Sequence, residues 1–169
     1  SDLIARMDGD DISMHDRLEK QYRYLTENKG IDVLGGQAIF IDAEGNRIDF
    51  KHKYPISNEL IKWELLREVP LCHPSVMFRK CILNKVGLYN EGFIYAQDFE
   101  LWKRIAHHSY RFSNLKDKII YYRKFKIKKF SMKKKEQNKA HIKILYDSFK
   151  SFSPMINNEL VYHYYYGQK

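Results

Sequence analysis

The stretch Leu3-Ile4-Ala5-Arg6-Met7-Asp8-Gly9-Asp10-Asp11 carries the strongest signal for the fold of this chain. Its first half is a short apolar run typical of a buried strand, and its second half places three carboxylates in one turn. The residues that follow are predicted to begin a helix, with Ser13 as the N-cap. Crowded like charges require a compensating cation, and Mg²⁺ binds carboxylate oxygens together with substrate phosphates. The turn therefore indicates either a metal–phosphate site or an ordinary solvated acidic turn.

The composition indicates a folded domain in a reducing compartment. The chain has 169 residues, of which 44% are hydrophobic and 15% aromatic, enough for one domain with a core. No run approaches the roughly 20 apolar residues of a membrane span. Cys72 and Cys81 are too few for a disulfide framework or a zinc site. These observations predict a cytoplasmic protein.

The positive charge is concentrated in one segment of the chain. The net charge is +9, but residues 1–115 sum to −1 and residues 116–150 sum to +10. The same segment contains Tyr121, Tyr122, Phe125 and Phe130. Such a segment can bind nucleic acid, lie on an anionic membrane surface, or form a solvated basic face. The solvated face is the simplest of these three interpretations.

Strand and helix signals alternate along the first 125 residues. The predicted strands cover residues 3–7, 31–42, 47–50, 74–78 and 118–122. The predicted helices cover residues 14–28, 59–67, 80–86, 98–107 and 133–149. In the second helix, the residues expected to be buried are Leu60, Ile61, Trp63, Leu65 and Leu66. This order of elements predicts an α/β layered domain with a mixed sheet.

Four motifs occur in order between residues 4 and 123. They are Ile4–Asp11 with Arg17–Gln21, His73–Arg79 with Val86-Gly87 and Tyr89, Gln97–Trp102 with Arg104, and Tyr122-Arg123. Their order and spacing together resemble glycosyltransferase family 2, the nucleotide-sugar-dependent enzymes with the GT-A fold. The resemblance implies a partial GT-A-like α/β/α layered domain over residues 1–125, followed by a basic, aromatic helical tail over residues 126–169.

The resemblance implies a role for each motif. Asp8 and Asp10 correspond to a DxD element that holds Mn²⁺ or Mg²⁺ against the diphosphate of a nucleotide-sugar donor. Asp98 corresponds to the general base that deprotonates a hydroxyl of a glycan or lipid-linked acceptor, in one displacement with inversion. The residues implied to contact the donor are Asp8, Asp10, Asp11, His73, Arg79, Arg104 and Arg123.

Ordinary structural roles are alternatives for several of these residues. Asp98 has the position of a helix N-terminal acid, and His73 that of a hydrogen-bonded loop histidine. Arg79 and Arg104 are equally suited to ion pairs at the edge of the core. A phosphatase of the haloacid-dehalogenase type is a further alternative for the acidic turn, but Ile12 stands where that class has Thr or Val.

Three features depart from the family pattern. Gln97 replaces the usual Glu, and Lys124-Phe125-Lys126 replaces a histidine that many relatives have after the fourth motif. The nucleotide-binding half that begins the family is expected upstream of Ser1. We therefore expect this chain to be an inactive fragment that self-associates through surfaces which the other half would cover. The resemblance also favours a membrane surface over nucleic acid as the partner of residues 116–150.

Overall fold

The computed structural model describes residues 1–125, 132–150, 153 and 155–167. The strands are β1 (Leu3–Ala5), β2 (Ile12–Ser13), β3 (Val33–Ile41), β4 (Met77–Arg79) and β5 (Phe112–Arg123). The α-helices are α1 (Arg17–Glu27), α2 (Asn58–Glu64), α3 (Leu83–Val86), α4 (Gln97–His107), α5 (Met132–Lys150) and α6 (Asn158–Gly167). The predicted α/β class is confirmed.

The sheet is mixed, as predicted, and its topology brings several motifs to one end. The strand order is β1-β4-β3-β5-β2, in which β3 and β5 are parallel and the other neighbouring strands are antiparallel. Strands β1, β3 and β5 therefore run in the same direction, so their carboxyl ends lie at the same end of the sheet. The acidic turn follows β1 at this end, and His73 lies there too because it precedes the antiparallel strand β4.

Helices cover both faces of the sheet. Leu34 packs in a core cluster with Leu25 of α1, whereas the adjacent residue Val33 packs in a second cluster with Trp102 of α4. This alternation follows from the pleat, which points successive side chains to opposite faces. The predicted α/β/α layering is therefore present.

The last two helices contribute to the larger of these clusters. Leu145 of α5 is fully buried, and Val161 and Tyr165 of α6 are 2% exposed, all in the cluster that contains Trp102. The outer residues of α5 remain at the surface. The division of the chain into two parts at residue 125 stays a prediction, but the described part of the tail packs on the sheet domain.

The predicted start of the first helix is wrong. Ser13 does not cap a helix, because Ile12 and Ser13 form β2 and pair with Tyr121 and Ile120 of β5. The helix begins at Arg17 instead. The acidic turn therefore connects two strands at opposite edges of the sheet, and it crosses the carboxyl end of the sheet between them.

Two smaller predictions are also wrong. The return strand over residues 47–50 reduces to a single bridge between Ile41 and Arg47. On α2, Leu60 is 56% exposed and Trp63 is 71% exposed, while Ile61 fills the core position. A seven-residue helix has room for one buried stripe, and that stripe is centred on Ile61.

Candidate active site

Three carboxylates and one guanidinium meet at the acidic turn. Asp8, Asp10 and Asp11 each offer an oxygen within 4.8 Å of the other two. Arg6 Nη2 lies 2.5 Å from Asp8 Oδ1, so one of the three negative charges is paired. Asp10 is exposed, whereas Asp11 is only 8% exposed. The cluster thus extends from the surface into the end of the sheet.

One carboxylate oxygen of Asp11 accepts a hydrogen bond, and the other has no hydrogen-bond partner among the described residues. The backbone N–H of Arg123 donates to Asp11 Oδ1 at 2.7 Å, while the buried Oδ2 has no hydrogen-bond partner among the described residues. Burial raises the pKa of the Asp11 carboxyl to about 6, against the hydrogen bond from Arg123, and the charges of Asp10 and Asp8 raise it further. A hard divalent cation would bind such an oxygen and offset this repulsion. The cluster fits Mn²⁺ or Mg²⁺.

Arg123 fixes the shape of the acidic turn. Its Nε donates to the carbonyl oxygen of Asp10 at 2.8 Å, and its Nη1 donates to the carbonyl oxygens of Asp42 and Ala43 at 2.8 and 2.7 Å. Its guanidinium therefore ties the turn to the chain that follows β3. The predicted contact of Arg123 with the donor stays a prediction, and the contacts seen here position Asp10 and Asp11.

His73 and Tyr89 form a hydrogen-bonded pair beside the turn. His73 Nε2 lies 2.9 Å from the Tyr89 hydroxyl, and the imidazole stands edge-on to the buried Trp102 at 5.9 Å between ring centroids. Burial lowers the pKa of His73, and the nearby charges of Asp98 and Asp8 oppose this shift. Burial also raises the pKa of the Tyr89 hydroxyl, and the charges of the same two carboxylates raise it further. Asp98 and Asp8 are therefore both near enough for their charges to act on this pair.

Asp98 lies in the first turn of α4, one helical turn before Trp102. The residue before the helix, Ala96, has a left-handed backbone with φ 61°, which turns the chain from the loop over residues 88–96 into α4. Among the described residues, no side-chain hydrogen bond or ion pair involves Asp98. The N-terminal end of α4 carries a partial positive charge, which favours a negative charge at the position of Asp98. A partly exposed carboxylate without a structural partner is available to accept a proton from a bound hydroxyl.

The side chains of Arg79 and Arg104 bind groups outside the acidic turn and the His73–Tyr89 pair. Arg79 ends the antiparallel strand β4 and so lies toward the opposite end of the sheet, where its guanidinium donates to the carbonyl oxygens of Leu25 and Ile31 at 2.8 and 3.0 Å. Arg104 pairs with Glu100 at 2.5 Å and also donates to the carbonyl oxygens of Val86 and Leu88. Arg104 thus forms the ion pair of the structural alternative, whereas Arg79 is held by backbone carbonyls.

Arg6 is the site residue that the sequence interpretation did not assign. Alternate residues of an extended chain point to the same side, so the spacing of Arg6 and Asp8 was a usable signal for this ion pair. Tyr122 was part of a motif without a role. Burial raises the pKa of its hydroxyl to about 12, and the charges of Asp11, Asp8 and Asp98 raise it further.

Sequence comparison identifies relatives for the part of the chain that contains this site. No protein-family model matches the chain. An uncharacterised glycosyltransferase of Methanocaldococcus jannaschii is 38% identical over 122 residues, which are 71% of this chain and 41% of that protein. The O-antigen biosynthesis glycosyltransferase WbnJ of Escherichia coli is 36% identical over 123 residues, or 72% of this chain and 47% of that protein. This chain is homologous to part of a glycosyltransferase. It spans less than half the length of these two relatives.

A solved structure supports the fold. Residues 1–349 of S. aureus TarS align with 95% of this chain and 44% of that chain, with a TM-score of 0.54 and 16% sequence identity. At this identity the similarity establishes the fold alone. The resemblance drawn from the motifs is therefore confirmed for a partial glycosyltransferase with this α/β architecture. Within the described ranges, no helix has both the length and the hydropathy to cross a membrane.

Proposed function

We propose that this chain forms the diphosphate–metal side and the acceptor side of an inverting glycosyltransferase. The observation that carries the proposal is that His73, which lies with the acidic turn at the carboxyl end of the sheet, contacts Trp102 of α4, the residue one helical turn after Asp98. In open α/β sheets, ligands bind in the crevice outside the carboxyl ends of the strands. The reaction is transfer of a sugar from a nucleotide-sugar donor to a hydroxyl group.

The acidic turn supplies the residues for a metal ion. Asp8 and Asp10 would hold Mn²⁺ or Mg²⁺, and the unpaired buried oxygen of Asp11 adds a further acceptor near them. When bound, such an ion neutralises charge on the diphosphate that leaves the sugar. Arg123 contributes by fixing the backbone of the turn, so the carboxylates are held in place before the ligand arrives.

Asp98 accepts the proton of the acceptor hydroxyl in this proposal. As the proton moves to the Asp98 carboxylate, the hydroxyl oxygen bonds to the anomeric carbon and the bond to the diphosphate oxygen breaks, which inverts the anomeric centre. His73 is hydrogen-bonded to Tyr89, and burial lowers its pKa, which favours the uncharged imidazole. The partly buried rings of Tyr89 and Phe93 in the loop before α4 offer apolar surface for a sugar face.

The names of related proteins suggest the classes of donor and acceptor. One relative from Escherichia coli, 31% identical over 101 residues, transfers galactose from UDP-galactose to a sugar on diphosphoundecaprenol. TarS has been solved with UDP-GlcNAc and with UDP. We extend these classes to this chain as a proposal: a nucleoside-diphosphate sugar as donor and a glycan or lipid-linked glycan as acceptor.

A panel of nucleotide sugars tests the proposed function. The complete gene product and the 169-residue chain are incubated in parallel with each donor, with MnCl₂, MgCl₂ or EDTA, and release of nucleoside diphosphate is measured. We expect release for one or a few donors by the complete product with a divalent metal, and loss of release in EDTA. Full activity in EDTA would refute the metal role, and no release with any donor would refute the proposed reaction.

A membrane-facing role for α5 is a second proposal. With Ile144 and Leu145 buried, α5 presents Lys135, Lys139 and Lys143 to solvent at four-residue spacing, which is one face of a helix. Each lysine near an anionic leaflet contributes about 1 kcal/mol of attraction. The part of this prediction that concerns residues 126–131, including Lys126 and Phe130, lies outside the described residues.

Vesicle sedimentation tests the membrane proposal. We expect the chain to sediment with vesicles that contain anionic lipid, to remain in solution with neutral vesicles, and to be released by salt. A triple Lys→Gln variant at residues 135, 139 and 143 should sediment less. Salt-sensitive binding to nucleic acid without binding to vesicles would favour the competing interpretation of the basic segment.

A further inference from the structure

Arg6 is anchored by its backbone and incompletely paired by its side chain. Its backbone N–H donates to the carbonyl oxygen of Val76 at 2.9 Å, and its carbonyl oxygen accepts from Arg17 Nη2 at 2.7 Å. Its side-chain Nη2 pairs with Asp8 Oδ1 at 2.5 Å. The other terminal nitrogen, Nη1, is buried and has no hydrogen-bond partner among the described residues. Buried donors without partners are uncommon in folded proteins, and each is a possible contact for a ligand.

The free donor of Arg6 lies in the same site as a free acceptor. Asp11 Oδ2 is also buried without a partner, and Asp11 is less than a tenth exposed. Arg6 pairs with Asp8 of the acidic turn at 2.5 Å, and its charge also acts on Asp11 and on the His73–Tyr89 pair, whose imidazole contacts Trp102 of α4. One ligand that satisfies both groups must present a cation to Asp11 and an anion to Arg6. A metal-bound diphosphate has this combination of charges.

We infer that Arg6 exchanges partners when the donor binds: it neutralises Asp8 in the metal-free protein and contacts a diphosphate oxygen once Asp8 is a metal ligand. This inference rests on the proposed function and deepens it. A guanidinium suits the exchange because its fork matches a carboxylate and a phosphate equally well. Arg6 therefore competes with the metal when diphosphate is absent and cooperates with it when diphosphate is present.

The exchange predicts that one substitution of Arg6 changes two affinities in opposite directions: manganese binds tighter and pyrophosphate binds weaker. In Arg6→Gln, MnCl₂ alone should bind about threefold tighter, because the competing ion pair with Asp8 is gone. Pyrophosphate added to the manganese-saturated variant should bind about tenfold weaker or worse, because a charged donor is lost. Isothermal titration calorimetry of the 169-residue chain measures both affinities without requiring catalysis. Arg6→Lys should keep the wild-type affinity for manganese and lose part of the affinity for pyrophosphate, since an ammonium lacks the fork.

Arg23→Gln is the matched control. It removes the same charge from an exposed arginine of α1, whose side chain is 77% exposed and pairs with Glu27 in the next turn. Both affinities should stay at the wild-type value in this control. If Arg6→Gln weakens both ligands, or changes neither, the partner exchange is wrong while the metal site stands. If the wild-type chain binds neither MnCl₂ nor pyrophosphate with MnCl₂, both the exchange and the proposed diphosphate site are wrong. Arg6→Lys decides the question if Arg6→Gln fails to fold, which circular dichroism reports.

Discussion

Replacing Asp98 by Asn in the complete gene product is expected to lower kcat for sugar transfer by about 10³-fold, because a positioned general base typically contributes two to four orders of magnitude. The amide keeps the size and the place of the carboxylate in the first turn of α4 but cannot accept the proton. KM for the donor should change little, since Asp98 belongs to the acceptor side. Initial rates over a range of donor concentrations measure both parameters.

Asp49→Asn is the control for this substitution. Asp49 lies in the loop after β3 with its side chain 87% exposed, and its replacement removes one carboxylate without touching the site. It should leave kcat unchanged. Transfer by Asp98→Asn at the rate of the control would show that another group takes the proton. The plain helix N-terminal role would then describe Asp98.

Replacing Asp11 by Asn is expected to stabilise the metal-free protein by about 2 kcal/mol at pH 7.5. The pKa of Asp11 is raised to about 6 in the folded chain, so the folded state binds a proton more tightly than the unfolded state. Stability contributed by this group therefore falls as the pH rises from about 4 to about 6. The asparagine oxygen can still accept the hydrogen bond from the Arg123 N–H, and no charge is buried.

Urea unfolding in EDTA at several pH values measures this effect. The gain of Asp11→Asn over the wild type should be largest above pH 6 and should vanish only below about pH 3, where the wild-type carboxyl is protonated in both the folded and the unfolded state. Asp49→Asn should show no such pH-dependent gain. A destabilised Asp11→Asn protein at pH 7.5 would mean that the charged carboxylate has a favourable partner in the metal-free state. The same substitution should weaken manganese binding, since it removes the charge from an oxygen that faces the cluster.

Local patterns predicted most helices and strands because their apolar residues recur with the spacing of the element that they form. The predicted bounds of α4 and of β3 are within one or two residues of the observed bounds, since each element has a continuous apolar face. Ser13 was misassigned because its sequence neighbours resemble a capping box, while its backbone pairs with Ile120, a residue 107 positions later. A pairing of two residues at that distance leaves no local signal. The exposed Trp63 was misassigned because a short helix offers several equally spaced apolar positions.

The site residues divide in the same way. The family resemblance implied roles for Asp8, Asp10 and Asp98, and those roles stay predictions. Arginines have no positional signal, since their long side chains reach partners in several directions. Arg79 and Arg104 matched the family order, yet the structure directs them to backbone carbonyls and to Glu100. Arg6 received no role from the sequence, and the structure places it against Asp8 with a free donor.

The order of amino acids alone was enough to predict the class of the fold, the relation to glycosyltransferases and the acidic turn from Asp8 to Asp11. The pairing of strands in the folded chain was needed to show that this turn joins strands at opposite edges and that the carboxyl ends of β1, β3 and β5 share one end of the sheet. Strand order and direction depend on hydrogen bonds between segments far apart in the chain, and local sequence patterns do not record them. Those bonds bring the acidic turn and His73 to one end of the sheet, where Arg6 pairs with Asp8 and His73 contacts Trp102, one helical turn after Asp98.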